Sequence, residues 1–247
     1  LSRFETLKMN VGKSFRYPSA NELASNGVHH GAFRHEKGNA HLRSEEGYQF
    51  DLEYTLSHRR FSISLQPFIT YFSNYIYLEP SGEWSLLPHS GQIYQYKQAK
   101  AWVGGGEFAA EYALNAHWKT AINAEYIYNL NSTDGYPLPF SPPTVFTGNV
   151  SYSGNRRGIL NQYSFRLENQ WTLAQNRIAR NEEKTPATNL WHASANLHWK
   201  VGNIRFITDF QVQNIFDTAF LNHLSFYRKL NAPEAGRNVQ LIWKIPF

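Results

Sequence analysis

Ten histidines occur in the 247 residues, and four of them, His29, His30, His35 and His41, fall within a stretch of thirteen. Glu36 lies inside that stretch, and Glu22, Glu45 and Glu46 flank it. Neutral imidazole ligates zinc, copper, iron and nickel, and carboxylates can complete such a site. The candidate metal-contacting set is therefore His29, His30, His35, Glu36 and His41, with His89 and His223 as outlying members. A single loop histidine is more often just a solvated polar group, so it is the set that carries the signal. Side chains of adjacent residues point apart in an extended chain, so His29 and His30 need a turn to share an ion; Gly27 and Gly31 permit one.

Catalytic chemistry finds no such support. The chain has no cysteine, no G-x-S-x-G, no HExxH and no glycine-rich phosphate loop before a helix. Gly104-Gly105-Gly106 sits between extended segments and reads as a bulge or bend in a long strand. Only four aspartates occur, Asp51, Asp134, Asp209 and Asp217, and they are scattered. A small ten-stranded barrel protease would need acids and histidines converging at one mouth. The net charge of +5 is spread without a basic run, which leaves a nucleic-acid partner no patch to bind.

The elements that must position these groups show a period of two. Aromatics make up 16 % of the chain and hydrophobic residues 42 %, yet mean hydropathy is −0.52, so apolar and polar residues interleave. No apolar run reaches the length of a transmembrane helix. Instead Phe50, Leu52, Tyr54 and Leu56 alternate with Asp51, Glu53, Thr55 and Ser57, and Tyr163, Phe165 and Leu167 with Ser164, Arg166 and Glu168. Ten strands are expected near 6–15, 48–57, 61–77, 93–114, 117–130, 144–153, 159–175, 189–200, 203–215 and 237–247. Short turns alternate with long loops at 16–47, 78–92, 131–143, 176–188 and 216–236, the arrangement of an outer-membrane barrel. Trp118, Trp191, Trp199, Tyr75, Tyr77, Tyr126 and Tyr128 gather near strand ends as an interfacial girdle would. A soluble β-rich carbohydrate binder would not show apolar outward faces on strands this long. His192 and His198 fall on the polar face, and Tyr136, Phe140 and Phe226 either wall a cargo site or, the favoured reading, pack loops together. The fold class is all-β: a transmembrane antiparallel β-barrel in contact with lipid. Terminal Phe247 suits recognition by the barrel-assembly machinery.

Four motifs carry a resemblance. Ser14-Phe15-Arg16-Tyr17-Pro18-Ser19-Ala20-Asn21-Glu22-Leu23, then Gly38-Asn39-Ala40-His41-Leu42-Arg43-Ser44-Glu45-Glu46, resembles the paired FR-x-P-x-x-x-E-L and NPN-L-x-P-E elements of TonB-dependent receptors, with Ser44 where proline is usual. Gln213-Asn214-Ile215-Phe216-Asp217 and Ala235-Gly236-Arg237-Asn238-Val239-Gln240-Leu241 resemble elements at the last two strands. The resemblance covers nearly all of residues 1–247 and implies the last ten strands of a 22-stranded, plugged barrel. With no signal peptide before Leu1, a plug and the earlier strands are expected upstream, so this piece is not expected to form a transporting barrel alone. It also implies the outer membrane of a Gram-negative bacterium, coupling to the TonB complex through that upstream part, no enzymatic activity, and no prosthetic group. Asn26-Gly27-Val28-His29-His30 and Gln175-Asn176-Arg177-Ile178-Ala179-Arg180 with Thr185-Pro186 resemble the zinc-receptor branch. Haem receptors place a ligating histidine in the same interval, so zinc, haem and ferric complexes all stand as cargo, as do siderophores.

Overall fold

A computed structural model describes residues 2–245; Phe247 lies outside them. The strands are β1 (Glu5–Arg16), β2 (Asn26–His29), β3 (Arg34–Lys37), β4 (Glu45–His58), β5 (Phe61–Trp84), β6 (Gln92–Ala113), β7 (Trp118–Asn131), β8 (Val145–Asn155), β9 (Leu160–Thr172), β10 (Thr188–Val201), β11 (Ile204–Gln213) and β12 (Asn238–Lys244), with one short helix, α1 (Ala20–Ala24). All ten expected strands form. They run as one antiparallel meander in the order β1-β4-β5-β6-β7-β8-β9-β10-β11-β12. No described helix is long and apolar enough to cross a membrane.

Register divides the sheet into two chemical faces. Leu7, Met9 and Val11 sit opposite Tyr54, Leu52 and Phe50, whereas Lys8 and Asn10 sit opposite Glu53 and Asp51. The same parity carries Phe146, Val150 and Tyr152 against Trp171, Leu167 and Phe165, and Asn149 and Ser151 against Glu168 and Arg166. The apolar face is bare: Met9 is 68 % and Val11 74 % exposed. Apolar area of this extent in water would be a strong driving force for association, and in a bilayer it is simply solvated. Buried residues gather instead at the long-loop end, among them Ile76, Ile93, Tyr94, Leu138, Ala179 and Leu190. Strands β1 and β12 each have one partner in the sheet, and unpaired edges in hydrocarbon cost several kcal/mol per group.

Four expectations need correction. The glycine run at 104–106 is no bulge, because its register is unbroken against both β5 and β7. It is a close approach: a Cβ on Gly105 would lie 2.3 Å from the Tyr126 carbonyl oxygen. The loop expected at 78–92 is mostly strand, since the β5/β6 hairpin continues to Trp84 and Gln92. Pro80 within it is fully buried beside a register shift, where a missing ladder donor is tolerated. A second shift between Phe72 and Tyr75 moves Tyr75 and Tyr77 onto the face of Ala99 and Lys97. That face continues into Val103, Gly105 and Glu107, so these two tyrosines do not join the apolar belt, and Tyr77 Oη accepts from Asn131 Nδ2 at 2.9 Å. Finally, 16–47 is not an irregular loop: it holds α1 and the β2/β3 hairpin, and β3 adds in parallel to β6 at His35↔Ile93.

Candidate functional site

The segment between β1 and β4 is shaped by residues of the paired motif. Ser19 caps α1 with a capping box: its Oγ accepts from Glu22 N–H, and the Glu22 carboxylate accepts from Ser19 N–H at 2.7 Å. Arg16 then ties the two halves together, donating to Glu22 Oε2 at 2.9 Å and to Glu45 Oε1 at 3.1 Å. Burial opposes ionisation of Glu22, but the bonds from Arg16 and Ser19 outweigh it and its pKa is lowered. Gly38 N–H donates to Ser25 O and Asn39 N–H to Glu22 O, closing the end of α1. A Cβ on Gly38 would meet the Ala24 nitrogen at 2.6 Å, so only glycine fits there.

This frame presents the histidines unequally. His29 is exposed, but its Nδ1 accepts from Ala32 N–H at 3.1 Å and so caps the 3₁₀ turn His30–Ala32. His35 is buried with both ring nitrogens engaged, Nδ1 with Ser85 Oγ at 2.9 Å and Nε2 with Asn26 Oδ1 at 3.1 Å. Glu36, also buried, accepts from Arg34 at 2.6 Å and from Tyr96 Oη at 3.3 Å. The rings of His30, His41 and His89 are exposed and make no hydrogen bond among the described residues. His223 lies in a different cluster. Among the described residues no three His, Cys, Asp or Glu side chains assemble as a ready metal site.

The centre of that other cluster, Glu182 with Arg228, gave no sequence signal. Where the loops after β7, β9 and β11 meet, the Glu182 carboxylate accepts from Arg228 Nη2 at 2.6 Å, Phe140 N–H at 2.8 Å and Ala179 N–H at 3.0 Å. Its side chain and those of Arg228 and His223 are almost wholly buried. Around this hub Tyr94, Phe140 and Phe226 pack edge and face, with Phe140 and Phe226 centroids 4.5 Å apart. Arg34 lies 3.9 Å over Phe226, and Arg228 5.3 Å from Phe140. Phe140 and Phe226 thus pack loops together as expected. Tyr136 instead receives Arg180 over its ring at 4.6 Å. Tyr227 Oη donates to Gly31 O, joining this roof to the His29–His30 turn across 196 residues of sequence. Below the hub opens a cleft of about 260 Å³ lined by Ile127, Pro142, Val145, Pro186, Phe220 and Leu221 among others.

His223 Nδ1 sits 3.1 Å from Thr185 Oγ1, and its pKa is pushed down to about 4, mainly by burial, with Arg228 adding repulsion and Glu182 opposing it. The folded ring therefore binds fewer protons than the unfolded one between pH 6.5 and about 4. The roof keeps its full stability above that window and loses it as pH falls through it. Amide exchange in 176–188 and 214–237, corrected for its intrinsic pH dependence, should speed up from pH 6.5 downward. In His223→Asn the acceleration between pH 6.5 and 5 should vanish; an unchanged profile would contradict the assignment.

On the polar wall, His192 lies opposite Glu168, and its Nδ1 accepts from Asn214 N–H at 3.3 Å. His198 lies opposite Gln162 and bonds Asn196 Oδ1 at 2.8 Å. Both occupy the polar face that alternation assigned them.

The backbone as a whole is similar to known membrane receptors. It aligns with the copper transporter OprC over 98 % of this chain and 37 % of that one, at 21 % identity and a TM-score of 0.77. It also aligns with the FrpB iron transporter from Neisseria meningitidis (13 % identity, 97 % and 36 % covered, TM-score 0.66). The ferric yersiniabactin uptake receptor FyuA from Yersinia pestis gives 14 % identity, 100 % and 36 % covered, and a TM-score of 0.63. The chain thus spans little more than a third of the length of these proteins, and at such identities the likeness establishes the fold. Residues 4–215 match the family model described as TonB dependent receptor-like, beta-barrel, and the chain belongs to that family.

Proposed function

We propose that this chain is the C-terminal barrel portion of an outer-membrane importer, driven by the TonB complex, that takes up a divalent metal such as zinc. The carrying observation is the His29–His30 turn: two adjacent imidazoles exposed on the long-loop rim, with His41 also exposed in the same segment. That rim faces the cell exterior in barrels with short periplasmic turns. Because the site is not assembled in advance, capture at low concentration draws the rings together, and the ligand's preference for that arrangement shifts the loops towards it. The lumenal histidines His192 and His198 then line the descending wall.

A second reading is an iron complex: haem or a ferric siderophore. It is favoured by the engagement of His35 and Glu36 and by the apolar cleft beneath the roof, which suit a cargo that brings its own ligands. Similar structures carry names of both kinds, a copper transporter and ferric-siderophore receptors. Accumulation of radioactive zinc by cells expressing the full-length receptor, with and without TonB, separates the readings. TonB-dependent zinc uptake lost in His29→Ala/His30→Ala is expected. Zinc uptake indifferent to both TonB and the substitutions would overturn the metal reading, and TonB-dependent uptake of haem or a ferric chelate instead would establish the second.

A further inference from the structure

We propose that the periplasmic rim of this barrel binds acidic phospholipid headgroups through two Arg-Arg turns, Arg59-Arg60 and Arg156-Arg157, with Arg3 as a fifth cation. The β4/β5 connection is a two-residue turn, with His58 paired to Phe61. Asn-Gly or Asp-Gly is the favoured chemistry for such a turn, and arginine offers its geometry nothing. Neither Arg59 nor Arg60 has the positive φ that would reveal a special backbone need. The same dipeptide recurs two hairpins later, where Gly158, at φ +131°, supplies the unusual backbone and the arginines again do not. Charge, and not turn formation, is what these positions share.

The connections there carry charge of one sign, while the nearest acids lie within strands, Glu5 accepting from Tyr54 Oη and Glu111 paired with Lys119. None of the four connections at this end, at 59–60, 114–117, 156–159 and 202–203, contains an Asp or Glu. Arg3, Arg59, Arg60, Arg156 and Arg157 are exposed, and no salt bridge engages them among the described residues. Lys200 and Arg205 add charge but pair with each other on the lumenal parity of β10/β11, so they are set aside. At the opposite rim part of the basic charge is met by acids, as in Arg16–Glu45, Arg34–Glu36 and Lys97–Glu79, and Arg177 and Arg180 lie over aromatic rings.

Position selects the partner. The arginines sit directly beside the outward apolar border, where Ile159 and Ile204 are 62 % and 61 % exposed and Trp118 44 %. Side chains at that depth reach the phosphate layer of the periplasmic leaflet, and guanidinium pairs bidentately with phosphate. The cations are also spread along the rim from β1 to β9, and none of them lines the cleft between Ala116, His117, Gly154 and Asn155, which fits many small mobile headgroups better than one protein surface.

The test uses the full-length receptor in nanodiscs of phosphatidylethanolamine with a minority of phosphatidylglycerol, with retained lipids counted by native mass spectrometry. Wild type should enrich phosphatidylglycerol several-fold, less so at high salt. Arg59→Gln/Arg60→Gln/Arg156→Gln/Arg157→Gln should lower the enrichment at least about fivefold, the equivalent of one surface cation. Each pair changed alone, with folding checked by heat-modifiable gel mobility, should give a partial loss. Enrichment unchanged in the folded variants, or absent in wild type as a protein or peptidoglycan partner would have it, overturns the proposal.

Discussion

Replacing Glu182 by alanine is expected to open the roof of long loops while the barrel strands keep their register. The carboxylate is the common acceptor for Arg228, Phe140 N–H and Ala179 N–H, which come from three different loops or loop ends. Arg228 already has Nε and Nη1 without partners among the described residues, so losing Glu182 leaves a buried cation with no counter-charge. Breaking one side of a buried pair destabilises by about 3–5 kcal/mol, which corresponds to roughly a hundredfold to a few thousandfold in local opening. Hydrogen exchange should show that loss of protection in 138–142, 176–188 and 220–231. Protection in β7, β8 and β9 should hold, because their ladders do not pass through the hub. Glu182→Gln, which keeps an acceptor oxygen, should fall between. A variant with native roof protection, or one that loses the whole sheet, would contradict the hub.

The strands were legible because lipid and lumen impose opposite chemistry on alternate residues, and a period of two survives any loop variation. What stayed hidden has physical reasons. Pro80 and Gly82 look like strand breakers, and only the burial of Pro80 under Asn181, 101 residues away, shows why β5 runs on. Tyr75 and Tyr77 carry the composition of a girdle, but a one-residue shift turns them to the other face. Gly105 needed the position of the Tyr126 carbonyl to be read as a close approach. Of the roof hub His223, Phe140 and Phe226 were visible by type, but Glu182 at its centre was not, because its partner Arg228 lies 46 residues on. Conversely, the paired motif around Arg16 was legible as a resemblance, while its reason, one guanidinium bridging Glu22 and Glu45, emerged only from geometry. The histidines were visible by type; which ones have a free lone pair was not.

That last distinction governs metal capture. A neutral ring whose Nδ1 accepts from Ala32 carries its proton on Nε2, so His29 as it stands offers no lone pair to an ion. Ligation through either nitrogen must release Ala32 N–H and loosen the His30–Ala32 turn, whose Gly31 carbonyl holds Tyr227. Zinc binding should therefore weaken protection at Ala32 and in 225–231 together, linking the captured ion to the roof. Calorimetric titration of zinc into the full-length receptor in detergent, beside His29→Ala/His30→Ala, tests this most directly. Binding by wild type, weakened at least about a hundredfold in the double variant as loss of two imidazole ligands requires, is the predicted result. Equal zinc binding by both proteins, or none by either, would remove the metal site from this turn.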